Sequence, residues 1–473
     1  MEPMPAILMT NSMVYTLAST NQITPSSLDY LEADGSASPN QRILPLSAQV
    51  NEHDHLTIGG CDVLDLIEEF GSPLYILDET TLRTACQQYR QAFERYYPGE
   101  SLVMYASKAW NCLAVCAIAA QEGLAIDVVS GGELLSALQA RVSPEQIYFH
   151  GNNKSQHELQ QGIAAGCRIV VDNWHELKIL SALAVSPITI LLRLTPGIEC
   201  HTHEYIKTGH IDSKFGFDPD QLEAVFAYVA QQSNLHCIGL HAHIGSQIFE
   251  LQPHQDLANV LVSWMETAKR YGLPISELDV GGGLGIRYTE TDDPPSITDW
   301  ANVVCKHMIK ACEQANVPLP RLICEPGRSL IGSACITAYT VGGQKTVPGI
   351  RHYAAVDGGM SDNPRPITYQ SVYRVLAASK MSAPLSETIT LAGKHCESGD
   401  VVIHDAQLPP LAPGDIVVIP ATGAYNYSMA SNYNRVPRPA AVLVHNGQAA
   451  LIVERETDAD LIRYDRLPPH LQV

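Results

Sequence analysis

Basic charge is what this chain has least of. It carries 30 Lys and Arg against 50 Asp and Glu, a formal net charge of −20. So acidic a balance argues against a nucleic-acid or anionic-membrane partner, because both are held by basic patches. The first basic residue is Arg42. The start of the chain therefore lacks the positive charge of a secretory signal and the arginines of an organellar transit peptide. No uninterrupted apolar run is long enough to span a bilayer. No CxxC pair occurs, although there are 12 cysteines. They are scattered, mostly in apolar runs such as "CAIAA" and "RLICEPG". That usage fits reduced, buried cysteine in a cytoplasmic protein and not a disulfide framework.

What is present is core-forming material. Of 473 residues, 45% are hydrophobic and 17% charged, enough for one large barrel and a smaller domain. Residues 1–45 show weak periodicity and read as a poorly ordered extension. Between 101 and 325 come eight short apolar runs: "SLVMYASK", "LAIDVVSGGE", "QIYFHGN", "CRIVVDN", "ITILLRLTPG", "HCIGLHAHIGS", "LDVGGGLG" and "RLICEPGR". Most gaps between them carry helical patterns. Eight alternations of strand and helix predict an α/β fold, a (β/α)8 TIM-type barrel, over residues 76–328. Residues 329–473 hold short β-branched runs separated by Gly or Pro and predict an all-β domain. Residues 46–75 precede the barrel, and the first part of "HLTIGGCDVLDLIEEFGSPLYILD" is expected to add an N-terminal strand to that domain.

Each of the eight runs ends on polar residues or glycine: Lys108, Ser130, His150, Asp172, Arg193, His243, Gly281 to Gly283, and Glu325 to Arg328. Barrel enzymes place their active sites at these strand ends. Helix capping could account for Ser130 and Asp172, but not for Lys108, His243 or Glu325. Taken alone, Lys108 could be a lysine that lays its stem on the barrel wall and its charge in water. Three successive glycines exceed what a tight turn needs and suit close approach of a phosphate. No GKS or GKT follows, which argues against a nucleoside triphosphate. A phosphate cradle, an inward lysine and a strand-eight acid together fit pyridoxal 5'-phosphate. His243 then suits stacking on the cofactor ring, with a general-acid role as the other reading.

The stretches "YASKAW", "HAHIGSQ", "DVGGGLG", "EPGRSL", "DGGMSDNPRP", "CESGD" and "GAYNYSMASNYNRVPRP" resemble, in order, the motifs of the fold type III, alanine-racemase-like decarboxylases. The nearest resemblance is to the diaminopimelate decarboxylase group, the last step of lysine synthesis, and runs from about residue 55 to about residue 455. "HTHEYIKTGHIDSKFG" and "NYNRVPRPAAVLV" are particularly specific to it. The resemblance implies decarboxylation of meso-diaminopimelate to L-lysine and CO2. It implies that Lys108 bonds covalently to the cofactor and that His243 stacks on its ring. Ser246, Gly283, Gly327 and Tyr425 would surround its phosphate, Gly282 and Arg328 would also bind the cofactor, and Glu325 would pair with the ring nitrogen. Arg328, Arg365, Tyr369, Glu397 and Tyr425 would bind substrate, and Cys396 would return a proton. It also implies a homodimer with shared active sites, Cys396 and Glu397 reaching the partner's barrel.

The residues bear on these roles unevenly. Arg328 ends a barrel strand, whereas for Arg365 only the resemblance fixes a role. Cys396 lies in the polar stretch "KHCESGD", which suggests exposure, but the residues alone leave a reactive and an inert thiol equally open. Trp110 departs from the family's usual Asn. Three other readings compete. A sister decarboxylase would act on arginine or a carboxylated polyamine. A metal-dependent barrel hydrolase would use "HTH" at 201–203 or "HAH" at 241–243. A non-catalytic relative would be expected to have lost Lys108, Cys396 or a substrate arginine, and all are present.

Overall fold

The computed structural model describes residues 28, 30, 38–198 and 213–472. Three short strands, β1 (Gln49–Val50), β2 (Leu56–Ile58) and β3 (Cys61–Asp62), form a small antiparallel sheet of their own. The strand that joins the β domain is β4 (Leu74–Asp78), from the end of this segment and not from its first part. The physical reason is burial. All five residues of "LYILD" are buried, as a central strand requires, whereas "LTI" runs at once into a turn at Gly59 and Gly60, both at positive φ.

Residues 38–45 are also packed, contrary to the expectation of a poorly ordered extension up to residue 45. The Asn40 side chain donates to the carbonyls of Gly285 (3.1 Å) and Pro295 (2.9 Å), and Ile43 and Leu44 are buried. A single 3-10 turn, Pro39–Gln41, has no repeating face, so periodicity could not reveal it.

The eight expected strands close into a parallel barrel. They are β5 (Ser101–Ala106), β6 (Ala125–Val128), β7 (Ile147–Phe149), β8 (Arg168–Val171), β9 (Ile188–Arg193), β10 (Leu235–His241), β11 (Glu277–Asp279) and β12 (Arg321–Cys324). β12 pairs back onto β5, with Ile323 opposite Leu102. Side chains alternate. Leu102, Met104, Ala125, Tyr148, Val170, Leu191 and Ile323 fill the interior, while Val103, Tyr105, Ile126 and Phe149 pack outward against the helices. Caps start several helices. Ser130 accepts from Glu133 N and opens Gly131–Gln139; Asn173, not Asp172, accepts from Glu176 N and opens Trp174–Leu183.

Beyond the barrel lie β13 (Cys335–Val347), β14 (Arg351–Val356), β15 (Leu376–Ala377), β16 (Glu387–Ala392), β17 (Val401–Leu408), β18 (Ile416–Ile419), β19 (Ala440–His445) and β20 (Gln448–Val453). With β4 they make a mixed nine-stranded sheet in which β4 sits between β13 and β19. Trp110 is buried where the two parts meet. Its ring stacks on Tyr427 at 5.4 Å and tilts against Tyr75 of β4 at 5.8 Å. It is therefore a packing residue between barrel and sheet. Among the described residues no helix is long and apolar enough to cross a membrane.

Candidate active site

Strand parity builds the barrel mouth. Two residues beyond the inward apolar layer, the same face of five strands carries Asp127, His150, Asp172, Arg193 and Glu325, and the same face of β10 and β11 carries His241 and Asp279, two residues past Gly239 and Glu277; all seven are buried. Glu325 lies at the centre. Its two oxygens stand 2.9 Å from His150 Nε2 and 3.2 Å from His241 Nε2. Burial alone would raise its pKa, but the two imidazoles outweigh burial and hold the carboxyl well below the usual range. His241 is itself pulled down to about 4 by burial and stays neutral. Asp279 is pushed well up, by burial and then by the Glu325 charge, so the pair divides into one acid and one carboxylate. Lys108 lies on a turn after β5, its Nζ 3.7 Å from Asp127 Oδ2. Enclosure lowers its pKa, Asp127, Tyr425 and Glu325 raise it more, and the net shift is upward.

His243 and the glycines form one unit. His243 Nδ1 accepts the Gly282 N–H at 3.1 Å, which leaves the ring proton on Nε2. Burial, followed by the nearby Lys108 and Arg193 charges, takes its pKa well below the ordinary value, so the ring is neutral. A Cβ on Gly282 would stand 2.3 Å from the Glu325 carbonyl, and Gly283 has φ +126°. Among the described residues the amides of Gly283 and Gly327 make no hydrogen bond. Gly327 packs on Ala106 and Ala109, which flank the Lys108 turn.

Around them stands a cationic cluster. Arg328 donates to Ser246 Oγ through Nη2 (2.9 Å) and to Tyr288 OH through Nη1 (2.6 Å), and its guanidinium lies 4.8 Å from the Tyr425 ring centre. Tyr425 takes φ +64° and donates its N–H to the Ala109 carbonyl, next to Lys108. Arg365 donates to Tyr373 OH at 2.8 Å and sits 5.6 Å from the Tyr288 ring and 5.4 Å from that of Tyr369. Tyr288 thus lies between two buried arginines. Burial would raise its phenol pKa, but the arginines overcome this and lower it.

Cys396 and Glu397 are not brought to this mouth. Both are exposed on the β domain, and among the described residues neither bonds to a barrel-mouth residue. Of the described cysteines, only Cys396 is exposed. The "HTH" at 201–203 lies outside the described residues. The "HAH" histidines diverge: His241 turns to Glu325 and His243 to Gly282, so they do not share a ligand position. The donor atoms of His150, His241 and Glu325 lie within 4.8 Å of one another, and both imidazoles already contact the carboxylate.

Residues 79–332 match the model of the pyridoxal-dependent decarboxylases, pyridoxal binding domain. The chain belongs to this family. Among its members, the diaminopimelate decarboxylase of a Synechocystis species is 65% identical over 452 residues, 93% of this chain and 96% of that one. That of Bacillus subtilis is 45% identical over 89% of this chain and 97% of its own. The structure of the M. jannaschii diaminopimelate decarboxylase in complex with L-lysine superposes with a TM-score of 0.84 at 33% identity, covering 90% of this chain and 99% of that one.

A pyridoxal-dependent decarboxylase must hold an aldehyde, a ring nitrogen and a phosphate. The mouth offers an amine at Lys108, a buried carboxylate at Glu325, the neutral His243 ring held by the Gly282 N–H, and free amides at Gly283 and Gly327. The donor set fits. Sequence reasoning missed Asp127, Asp279, His241 in its contact with Glu325, and Tyr288. Strand parity would have found the first three. Tyr288 lies in a loop, and only folding brings it to Arg328.

Proposed function

We propose that this chain decarboxylates meso-diaminopimelate to L-lysine and CO2, the last step of lysine biosynthesis, using pyridoxal 5'-phosphate. The carrying observation is near full-length identity to diaminopimelate decarboxylases in a chain that keeps Lys108 beside a buried, ionised Glu325. When bound, pyridoxal phosphate supplies a sink for the electrons left when the carboxylate departs.

The protein's own residues do the rest. Lys108 would hold the cofactor covalently. Glu325, kept anionic by His150 and His241, would hold a proton on the ring nitrogen. His243, neutral, would stack on the ring. Ser246, Gly283, Gly327 and Tyr425 would hold the phosphate, with Gly282 and Arg328 as further cofactor contacts. Diaminopimelate carries an amino-acid head at each end, and the head that does not react needs a cation and an anion to read it. Arg328 and Arg365 supply guanidinium groups for a carboxylate, with Tyr369 and Tyr425 beside them. Glu397 supplies the anion, and Cys396 returns a proton to the carbon that lost CO2. The exposure of Cys396 and Glu397, with no bond to the described residues of their own barrel mouth, supports a homodimer in which they complete the partner's site.

The test is CO2 release by the full chain with pyridoxal phosphate, comparing meso-diaminopimelate, arginine and ornithine. Release is expected from meso-diaminopimelate with L-lysine as product. Preference for arginine or ornithine would overturn the substrate reading. A Lys108→Ala protein that kept the visible absorbance of the bound cofactor would overturn the role of Lys108.

A further inference from the structure

Three loops of the β domain meet around one buried carboxylate. Asp400 is 3% exposed. Its Oδ1 accepts the Met360 N–H at 2.8 Å, and its Oδ2 accepts the His395 backbone N–H at 2.9 Å and pairs with His395 Nδ1 at 2.7 Å. Gly359 and Gly393 close over it: an added Cβ would stand 2.6 Å and 2.1 Å from its oxygens. The chain from Gly359 leads to Arg365, and the chain from His395 leads to Cys396 and Glu397. Lys394 N–H bonds directly to the Gly358 carbonyl at 2.9 Å, so the two loops are joined twice.

A third loop completes the frame. The Tyr433 ring stacks on His395 at 5.9 Å, and Ser431 N–H reaches the Ser361 carbonyl at 2.8 Å. The Asn434 side-chain oxygen accepts the Cys396 N–H at 2.8 Å. Asn434 has φ +53°, a left-handed conformation that asparagine tolerates better than most residues. Cys396 is exposed and lacks a packing wall of its own. Where its thiol is presented is therefore set by its backbone, and Asn434 and the Asp400–His395 pair fix that backbone.

We propose that Asn434 and Asp400 are positioning residues for reprotonation, fixing where Cys396 is presented. This rests on the reading of Cys396 as the proton donor. In the proposed dimer, Asp400 ties a loop serving the partner's site to the Arg365 loop of its own.

The test uses the full-length enzyme with pyridoxal phosphate bound. Asn434→Gly keeps the left-handed backbone and removes the acceptor; Asn434→Asp keeps an acceptor. Asn434→Gly should lower kcat about 10- to 100-fold, the scale of a small misplacement of a reacting group. KM should rise by less than kcat falls, since the acceptor bonds the Cys396 backbone itself and Glu397, which reads the substrate, is one residue further along the same loop. Cys396 should react faster with iodoacetamide, read on its own peptide by mass spectrometry. Asn434→Asp should restore most of both. Wild-type kcat and alkylation in Asn434→Gly would overturn the proposal, as would a loss that Asn434→Asp does not restore. Cys396→Ala separates the two readings. If it turns over at the wild-type rate, the proton-donor role fails, while a changed alkylation rate in Asn434→Gly still upholds the positioning.

Discussion

At the barrel mouth, Glu325, Asp127 and His241 are placed by strand parity: Glu325 and Asp127 lie two residues past the inward Ile323 and Ala125, and His241 two residues past Gly239 on its hydrogen-bonded strand. In the β domain, Cys396 and Glu397 sit on a loop and Arg365 opens the short helix Arg365–Tyr369, and the stretches that lead to them are tied by side chains that bond to backbone: Asp400 to Met360 and His395, Asn434 to Cys396. The mouth is framed by the closed, hydrogen-bonded barrel. The loops are framed by those few side-chain bonds. One region gathers its groups inward, while the other presents Cys396 and Glu397 outward.

Substitutions in the two regions should separate by readout. The largest effect belongs to the mouth. Glu325→Gln removes the buried anion that His150 and His241 contact and should cost about 10² to 10³ in kcat, the range of losing one preorganised electrostatic partner. It should also weaken pyridoxal phosphate affinity, measured by equilibrium dialysis. In the loops, Glu397→Gln removes one charged partner of the substrate. It should raise KM for meso-diaminopimelate about tenfold or more, the worth of a hydrogen bond to a charged group, and leave cofactor affinity alone. Loss of cofactor affinity in Glu397→Gln would break the division.

The same contrast explains what the sequence made legible. All eight barrel strands were readable because an apolar run with a polar end repeats, and Lys108, His243 and Glu325 came with them. Asp127 was in view in "LAIDVV" yet passed over, because one aspartate inside an apolar run looks like an interruption until the strand's inward face is known. Ser130 reads as a cap and is one; Asp172 reads the same way but turns instead to Arg193, 3.9 Å away, because Asn173 takes the cap. The loop sites were legible only through family resemblance. No periodicity connects Asp400 to Met360 or Asn434 to Cys396, since each bond spans a different, irregular stretch of chain. β4 was misplaced within its segment because two short apolar stretches competed, and only the sheet decides which one it buries.

The smallest expected effect is in pH-dependent stability, and the two regions should differ in sign. His254 lies beneath Gly283, and burial alone lowers it from 6.5 to about 3. Unfolding lets it take up a proton. Its contribution is complete above pH 6.5 and is lost as pH falls from there toward 3. Asp362, beside the Arg365 loop, goes the other way. Burial lifts its carboxyl from 3.8 to about 7, although the Tyr339 hydroxyl donates to it and opposes the rise. Its folded state keeps a proton that the unfolded state gives up, so its contribution is complete below pH 3.8 and is lost as pH rises toward 7. Between pH 4 and 6.5 the two slopes oppose, each at most about 1.4 kcal/mol per pH unit. Urea unfolding at several pH values in this window should therefore show His254→Asn losing ground to wild type as pH rises, and Asp362→Asn gaining it. Parallel curves for the two variants would show that neither group carries the linkage, and that the barrel and the loops do not differ in this respect.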